Sequence, residues 1–233
     1  LTPYAMCRHV TPCGTIEEQG PPALLADHAT EFTLRHLSVE PGSQVAEPGC
    51  GTGVLSLYAA LAGAARVTGT DVDPAALEAA RLNAQRNRLA NVRFIQGSLL
   101  EPVPSGLELV VALLPHKPAP RAFNHRYYGG LDGTDLLLAT IRQSAERLIA
   151  GGRLVLYVNS IANPARVRAA FERGFEVRLL GEKRRHFTQT EFDGLTPGMF
   201  AHLVRQRDLG QAEFESDEEG LYFMARIYEG RRR

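Results

Sequence analysis

From residue 43 to residue 174 the chain alternates between short apolar runs and longer stretches with helical spacing. The runs SQVAE (43–47), ARVTGTD (65–71), NVRFIQG (91–97), LELVVALL (107–114) and GRLVLYVN (152–159) read as buried strands. Between them, GVLSLYAALAG (53–63), DPAALEAARLNAQRN (73–87), DLLLATIRQSAERLIA (135–150) and NPARVRAAFERG (163–174) read as helices. Asp73 with Pro74 behind it is a helix start, because the carboxylate caps free N–H groups and proline suits the first helical position. Strands separated by helices demand crossover connections, and hence a parallel sheet covered on both faces. Two further runs, FEVRLLGEKRRHF (175–187) and LYFMARIYEG (221–230), bring the expected strands to seven. The expectation is a doubly wound, mostly parallel seven-stranded α/β layer with a helical insert before its last strand. Such sheets bind ligands outside the carboxyl ends of their strands.

The flanks are less regular. Residues 1–40 read as an irregular N-terminal arm followed by a helix from Pro21, and residues 41–233 as one domain. Residues 188–220, with a helix starting near Pro197, form a connection too long for a hairpin. They read as a lid or substrate wall, or else as a packing helix or dimer surface.

Charge and cysteine content narrow the function classes. Lysine plus arginine equals aspartate plus glutamate at 26 each, so the basic excess of a nucleic-acid binder is missing. The runs EKRRH (182–186) and RRR (231–233) suit a solvated face. Three cysteines, Cys7, Cys13 and Cys50, fit a reducing, cytoplasmic setting better than a disulfide framework. Cys7, His9 and Cys13 lack a fourth ligand at a familiar spacing, and no metal is expected. The longest apolar run, at 54–65, is too short to span a bilayer.

The stretch VAEPGCGTGVL (45–55) leaves a strand and opens a helix. Gly49, Gly51 and Gly53 allow a tight turn and close approach of a ligand to the backbone. Asp71 ends the next strand about 20 residues later, the separation at which a carboxylate meets ribose hydroxyls. A dinucleotide loop would carry its third glycine where Val54 stands, and a phosphate loop would carry Gly-Lys-Ser/Thr. Glu47 before the turn would repel a pyrophosphate but favour an ammonium group. The cofactor combining an ammonium, a ribose and a sulfonium is S-adenosylmethionine.

VAEPGCGTG followed by VTGTDVDPAALEAARLNAQRN resembles motifs I and II of the class I S-adenosylmethionine-dependent methyltransferases. The resemblance implies that Glu47 meets the methionine end of the cofactor, that Gly49, Gly51 and Gly53 pack against it, and that Asp71 takes the ribose. Val72, Ser98, Leu99 and Leu113 complete the implied cofactor lining, with Ser98 where the family usually has an aspartate. RYYGGLDGTDLLLATIRQSAERLIAGGRLVLYVNS (126–160) is similar to the same region of the release-factor glutamine and other amino-methylating enzymes. Those carry Asn-Pro-Pro-Tyr after strand four; here the residues are Leu113, Leu114, Pro115 and His116.

Loss of the asparagine oxygen removes an acceptor for a planar NH₂ group, costing about 1–3 kcal/mol in a dry site. The expectation is therefore methyl transfer to an N or O nucleophile of a small-molecule acceptor, such as a specialised metabolite. His116 is a candidate general base or orienting residue, against the alternative that it only closes a turn. Tyr128 is a second catalytic candidate, and His125 and Tyr127 could line the acceptor pocket. The alternatives are a protein-glutamine or RNA N-methyltransferase and a cofactor-binding protein that transfers no methyl. Neither a membrane nor a nucleic acid is an expected partner, and a homo-oligomer stays open.

Overall fold

The computed structural model of the chain describes residues 5–21 and 25–233. It divides into two compact units, Leu1–Leu113 with Gln143–Val155 and Arg231–Arg233, and Leu114–Arg142 with Leu156–Gly230.

The first unit begins with a hairpin where an irregular arm was expected. Strands β1 (Ala5–Thr11) and β2 (Gly14–Gly20) pair antiparallel, with His9 opposite Ile16 and Thr11 opposite Gly14. The Thr11 hydroxyl donates to the Gly14 carbonyl at 2.7 Å and closes the turn. The alternation was hidden because one inward position of β2 carries a carboxylate, Glu18, fully buried beside Ile16. Helix α1 (His28–His36) starts later than the expected Pro21, because Asp27 accepts from the N–H groups of Ala29 and Thr30. The part of the expected helix at 22–24 lies outside the described residues.

Next come β3 (Gln44–Pro48), α2 (Val54–Leu61), β4 (Arg66–Asp71), α3 (Pro74–Arg86), β5 (Val92–Gln96) and β6 (Leu107–Ala112). Asp73 caps α3 as expected, accepting from Ala75 N at 2.9 Å. α4 (Asp135–Arg147) leads into β7 (Leu148–Asn159). The helix stops three residues before the expected end. Arg147 turns back instead, donating from Nε to the Val103 carbonyl while its own carbonyl accepts from Gly106 N.

Within this unit the strand order is β5-β4-β3-β6-β7, and β3 runs parallel to both β4 and β6. The chain winds outward from β3 to β5 and then returns to the other side of β3. The winding direction therefore reverses at β3, and doubly wound sheets bind ligands beyond the carboxyl end of the strand where that happens. Val45, Ala46, Leu57, Val67, Leu109 and Val110 are all 1% exposed or less. Burying each such Val or Leu side chain contributes about 1.5–3 kcal/mol, enough to hold the strand ends in fixed register.

In the second unit the end of β7 is followed by α5 (Pro164–Glu172), β8 (Phe175–Phe187), α6 (Gln189–Leu195), α7 (Met199–Asp208), β9 (Glu215–Asp217) and β10 (Gly220–Arg232). The order is β7-β10-β8, with β9 antiparallel on β10. Among the described residues the main sheet thus holds eight strands, the seven expected and the three-residue β9. The mostly parallel α/β layer is the expected architecture. The insert contains two helices rather than one. Phe192, Met199 and Leu203 are fully buried with Phe187, Phe214 and Phe223 around them, so the segment has an apolar core of its own. No helix among the described residues is long and apolar enough to cross a membrane.

Candidate functional site

Gly53 caps α2 with a backbone in the left-handed region (φ 87°) and has no side chain to satisfy the first helical N–H groups. Glu47, at the end of β3, supplies what is missing. Its Oε2 accepts from the Ser56 N–H at 2.7 Å and from the Ser56 hydroxyl at 2.5 Å. Glu47 is 4% exposed. Burial pushes its carboxyl up from 4.5 to about 8, with Asp71 nearby adding to the rise against the lowering by Ser56. A pKa raised this far favours the protonated carboxyl at neutral pH. A cation arriving beside it would favour the ionised form.

The turn itself is tied to the next strand. Cys50 N donates to the Thr70 carbonyl at 2.9 Å, and Gly51 N donates to Asp71 Oδ2 at 2.9 Å. The other Asp71 oxygen accepts from Asp73 N. A carboxylate offers about four lone pairs, so two remain for a pair of hydroxyls. Gly51 has φ 53°, and a Cβ built there would meet nothing within 4 Å. At Gly53 a Cβ would come within 2.8 Å of Phe94 Cζ. The turn thus has one closed side and one open side, and the open side carries Gly51. Val72, next to Asp71, is 57% exposed. Leu99, after Ser98, takes φ 48° and its carbonyl accepts from the Thr70 hydroxyl at 2.5 Å. Glu47, Gly49, Gly51, Gly53, Asp71, Val72, Ser98 and Leu99 therefore lie at or just beyond the ends of β3, β4 and β5, in the first unit.

Leu113, partly buried, is the last residue of the first unit's opening segment and offers no polar side-chain atom. His116, in the second unit, is 5% exposed. Its Nδ1 lies 2.5 Å from the Leu114 carbonyl and its Nε2 lies 3.0 Å from Asn159 N. A carbonyl only accepts and an amide N–H only donates, so Nδ1 carries the proton and the Nε2 lone pair is taken. Burial, with Lys117 beside it, lowers the imidazole pKa to about 4. With both ring nitrogens bound to backbone, His116 closes the turn after β6, and this geometry leaves it no free lone pair to act as a general base. Tyr128 stacks edge-on to Phe123 and packs on the apolar cluster of the insert. Tyr127 is 38% exposed, with Lys117 Nζ 6.0 Å from its ring centre, and His125 is exposed.

Sequence reasoning missed Asn159, at the end of β7. It is 6% exposed, and its Oδ1 is buried without a hydrogen-bond partner among the described residues. Its signal was an asparagine ending the strand that follows the altered Asn-Pro-Pro-Tyr position. No group of three or more His, Cys, Asp or Glu among the described residues is arranged to hold a metal.

Residues 27–113 match the protein family described as ribosomal protein L11 methyltransferase (PrmA). Ribosomal protein L11 methyltransferase of Burkholderia mallei is 45% identical over 82 residues, 35% of this chain and 26% of that one. The release factor glutamine methyltransferase of Deinococcus radiodurans is 37% identical over 150 residues, 58% of this chain and 53% of that one. The solved Thermus thermophilus 16S rRNA N2 G1207 methyltransferase (RsmC), in complex with AdoMet and guanosine, superposes with a TM-score of 0.64 at 16% identity. That superposition covers 99% of this chain and 51% of the other, and it shows the fold. The matched segments mark the chain as related to the class I S-adenosylmethionine-dependent methyltransferases. It spans about a quarter of the length of the L11 methyltransferases it matches and about half of the release-factor enzyme.

S-adenosylmethionine is the cofactor to which the methyltransferase fold and the relatives point. The first unit's residues fit it: open space over Gly51, two spare lone pairs on Asp71 and a buried acid at Glu47. When bound, the cofactor supplies an electrophilic methyl on a sulfonium. The expectation of a small-molecule acceptor and partner is corrected by the relatives, which are named for protein acceptors, ribosomal protein L11 and a release factor.

Proposed function

We propose that this methyltransferase moves the methyl of S-adenosylmethionine to a nitrogen of a protein acceptor. The observation that carries the reading is the 37% identity over 150 residues to a release factor glutamine methyltransferase. In this reading Glu47 faces the cofactor's ammonium, Asp71 accepts from the ribose hydroxyls, and Gly49, Gly51 and Gly53 let the cofactor lie against the backbone. Val72, Ser98, Leu99 and Leu113 line the rest of its site.

In the second unit, Asn159 keeps a buried Oδ1 without a hydrogen-bond partner among the described residues, an acceptor of the kind an amide or amino N–H would satisfy. An unpaired buried amide oxygen costs about 1–3 kcal/mol, which such a donor would recover. The nitrogen's proton leaves to solvent, because the His116 lone pair is occupied. The insert 188–220 acts as a fixed wall rather than a swinging lid, in keeping with the full burial of Phe192, Met199 and Leu203. A cytoplasmic setting accords with such acceptors and with three free cysteines.

The experiment is incubation with methyl-labelled cofactor and purified ribosomal proteins and release factors, followed by mass spectrometry. Label on a side-chain or terminal nitrogen of one protein is the expected result. Label confined to RNA, or none in any protein while the cofactor is bound, overturns the proposal.

A further inference from the structure

The glycine turn is held, at Thr52, by a carboxylate from the hairpin. Glu18 of β2 is fully buried and receives three donors. His9 Nε2 of β1 lies 2.9 Å from its Oε2, Ala26 N donates to Oε1 at 2.9 Å, and the Thr52 hydroxyl donates to the same Oε1. Thr52 sits between Gly51 and Gly53, is 3% exposed, and its own carbonyl accepts from Asn83 Nδ2 of α3 at 3.1 Å. Asn83 in turn clasps β2, accepting from Gln19 N at 2.8 Å and donating to the Gln19 carbonyl at 3.1 Å. One helical turn on, Asn87 repeats the clasp with the N–H and carbonyl of Glu17. A Cβ on Gly20 would lie 3.1 Å from Thr52 Cγ2, so the end of β2 reaches close to the turn only because that residue is glycine.

A buried carboxylate without donors would be strongly destabilising, and this one is kept because charge-assisted bonds surround it. Those bonds come from three stretches far apart in sequence, of which only one is the cofactor turn. A capping or packing role for the hairpin alone would not require an ionisable group at its centre.

We propose that Glu18 is a positioning residue for cofactor binding, fixing Thr52 and through it the backbone of Gly51 and Gly53. The proposal rests on the reading of that turn as the cofactor cradle. The hairpin thereby becomes a working part of the cofactor site, although no hairpin side chain needs to touch the ligand. Asn83 holds the other side of Thr52, so the turn is gripped from the hydroxyl and from the carbonyl.

The test measures binding of S-adenosylhomocysteine by calorimetry to the full chain and to Thr52→Val, Thr52→Ser and Glu18→Gln, with circular dichroism and thermal unfolding of each. Thr52→Val removes the hydroxyl donor at nearly constant volume and is expected to weaken binding at least about tenfold, the loss of one charge-assisted hydrogen bond. Thr52→Ser is expected to restore binding to within about threefold, because it returns the donor. Glu18→Gln keeps an acceptor oxygen but no charge, and is expected to fall between them. If Thr52→Val, folded and studied well below its melting temperature, binds as tightly as the unaltered chain, Glu18 only stabilises the hairpin and the proposal is overturned. Failure of the unaltered chain to bind the probe would instead remove the cradle reading beneath it.

Discussion

Replacing Glu47 with glutamine separates its two jobs. The carboxyl is 4% exposed and raised from 4.5 to about 8 by desolvation, so the folded protein binds a proton that the unfolded chain has released. Stability from this group is fully present below pH 4.5 and is lost as pH rises towards 8. At about 1.4 kcal/mol per pH unit, the whole window is worth about 5 kcal/mol, of which about 3 kcal/mol is lost by pH 7. Glutamine can still accept from the Ser56 N–H and hydroxyl, so the α2 cap survives. It cannot ionise. Denaturant unfolding of both proteins between pH 5 and 8 is the assay: the unaltered chain should lose stability relative to Glu47→Gln by several kcal/mol across that range. Calorimetry in buffers of different ionisation enthalpy adds a second readout. Cofactor binding at pH 7 should release close to one proton from the unaltered chain and none from this position in the variant. Parallel stability curves, or equal proton release, would refute the account of Glu47 as a buried acid that ionises to meet a cation.

Gly51→Ala should cost only about 1 kcal/mol of stability, the left-handed penalty, because its methyl meets open space; its cofactor affinity should fall far more, as calorimetry would register. Gly53→Ala should do the reverse in proportion, costing about 2–4 kcal/mol in urea unfolding through φ 87° and the contact with Phe94. His116→Ala should lower stability by about 2–4 kcal/mol by orphaning the Leu114 carbonyl and Asn159 N–H, while the pH–rate profile of the unaltered enzyme shows no inflection from this group between 5.5 and 8. With its pKa lowered to about 4, His116 contributes stability that is present above pH 6.5 and lost as pH falls through 4. Asn159→Leu should leave S-adenosylhomocysteine affinity within about twofold and reduce kcat at least about tenfold on the protein acceptor; equal kcat would remove the residue from catalysis.

The sequence by itself determined the repeating elements and the turn. Strand and helix periods, the Asp73–Pro74 start of α3 and the glycines after β3 are written in residues a few positions apart, and local sterics and hydrogen bonds act at that range. β8 was legible from Phe175 to Phe187 for the same reason. Other features depended on partners distant along the chain. α4 ends at Arg147, whose side chain and carbonyl are taken by Val103 and Gly106, and no local pattern contains them. His116 looked reactive as a histidine among prolines; only the approach of Asn159, from the far end of β7, revealed that its lone pair is filled. Glu18 concealed the hairpin because a carboxylate in an inward register reads as a break in alternation, until His9, Ala26 and Thr52 converge on it. Whether a buried polar atom is free or satisfied is a property of three-dimensional neighbours, since the desolvation it suffers and the bond that offsets it both arise when separate segments meet.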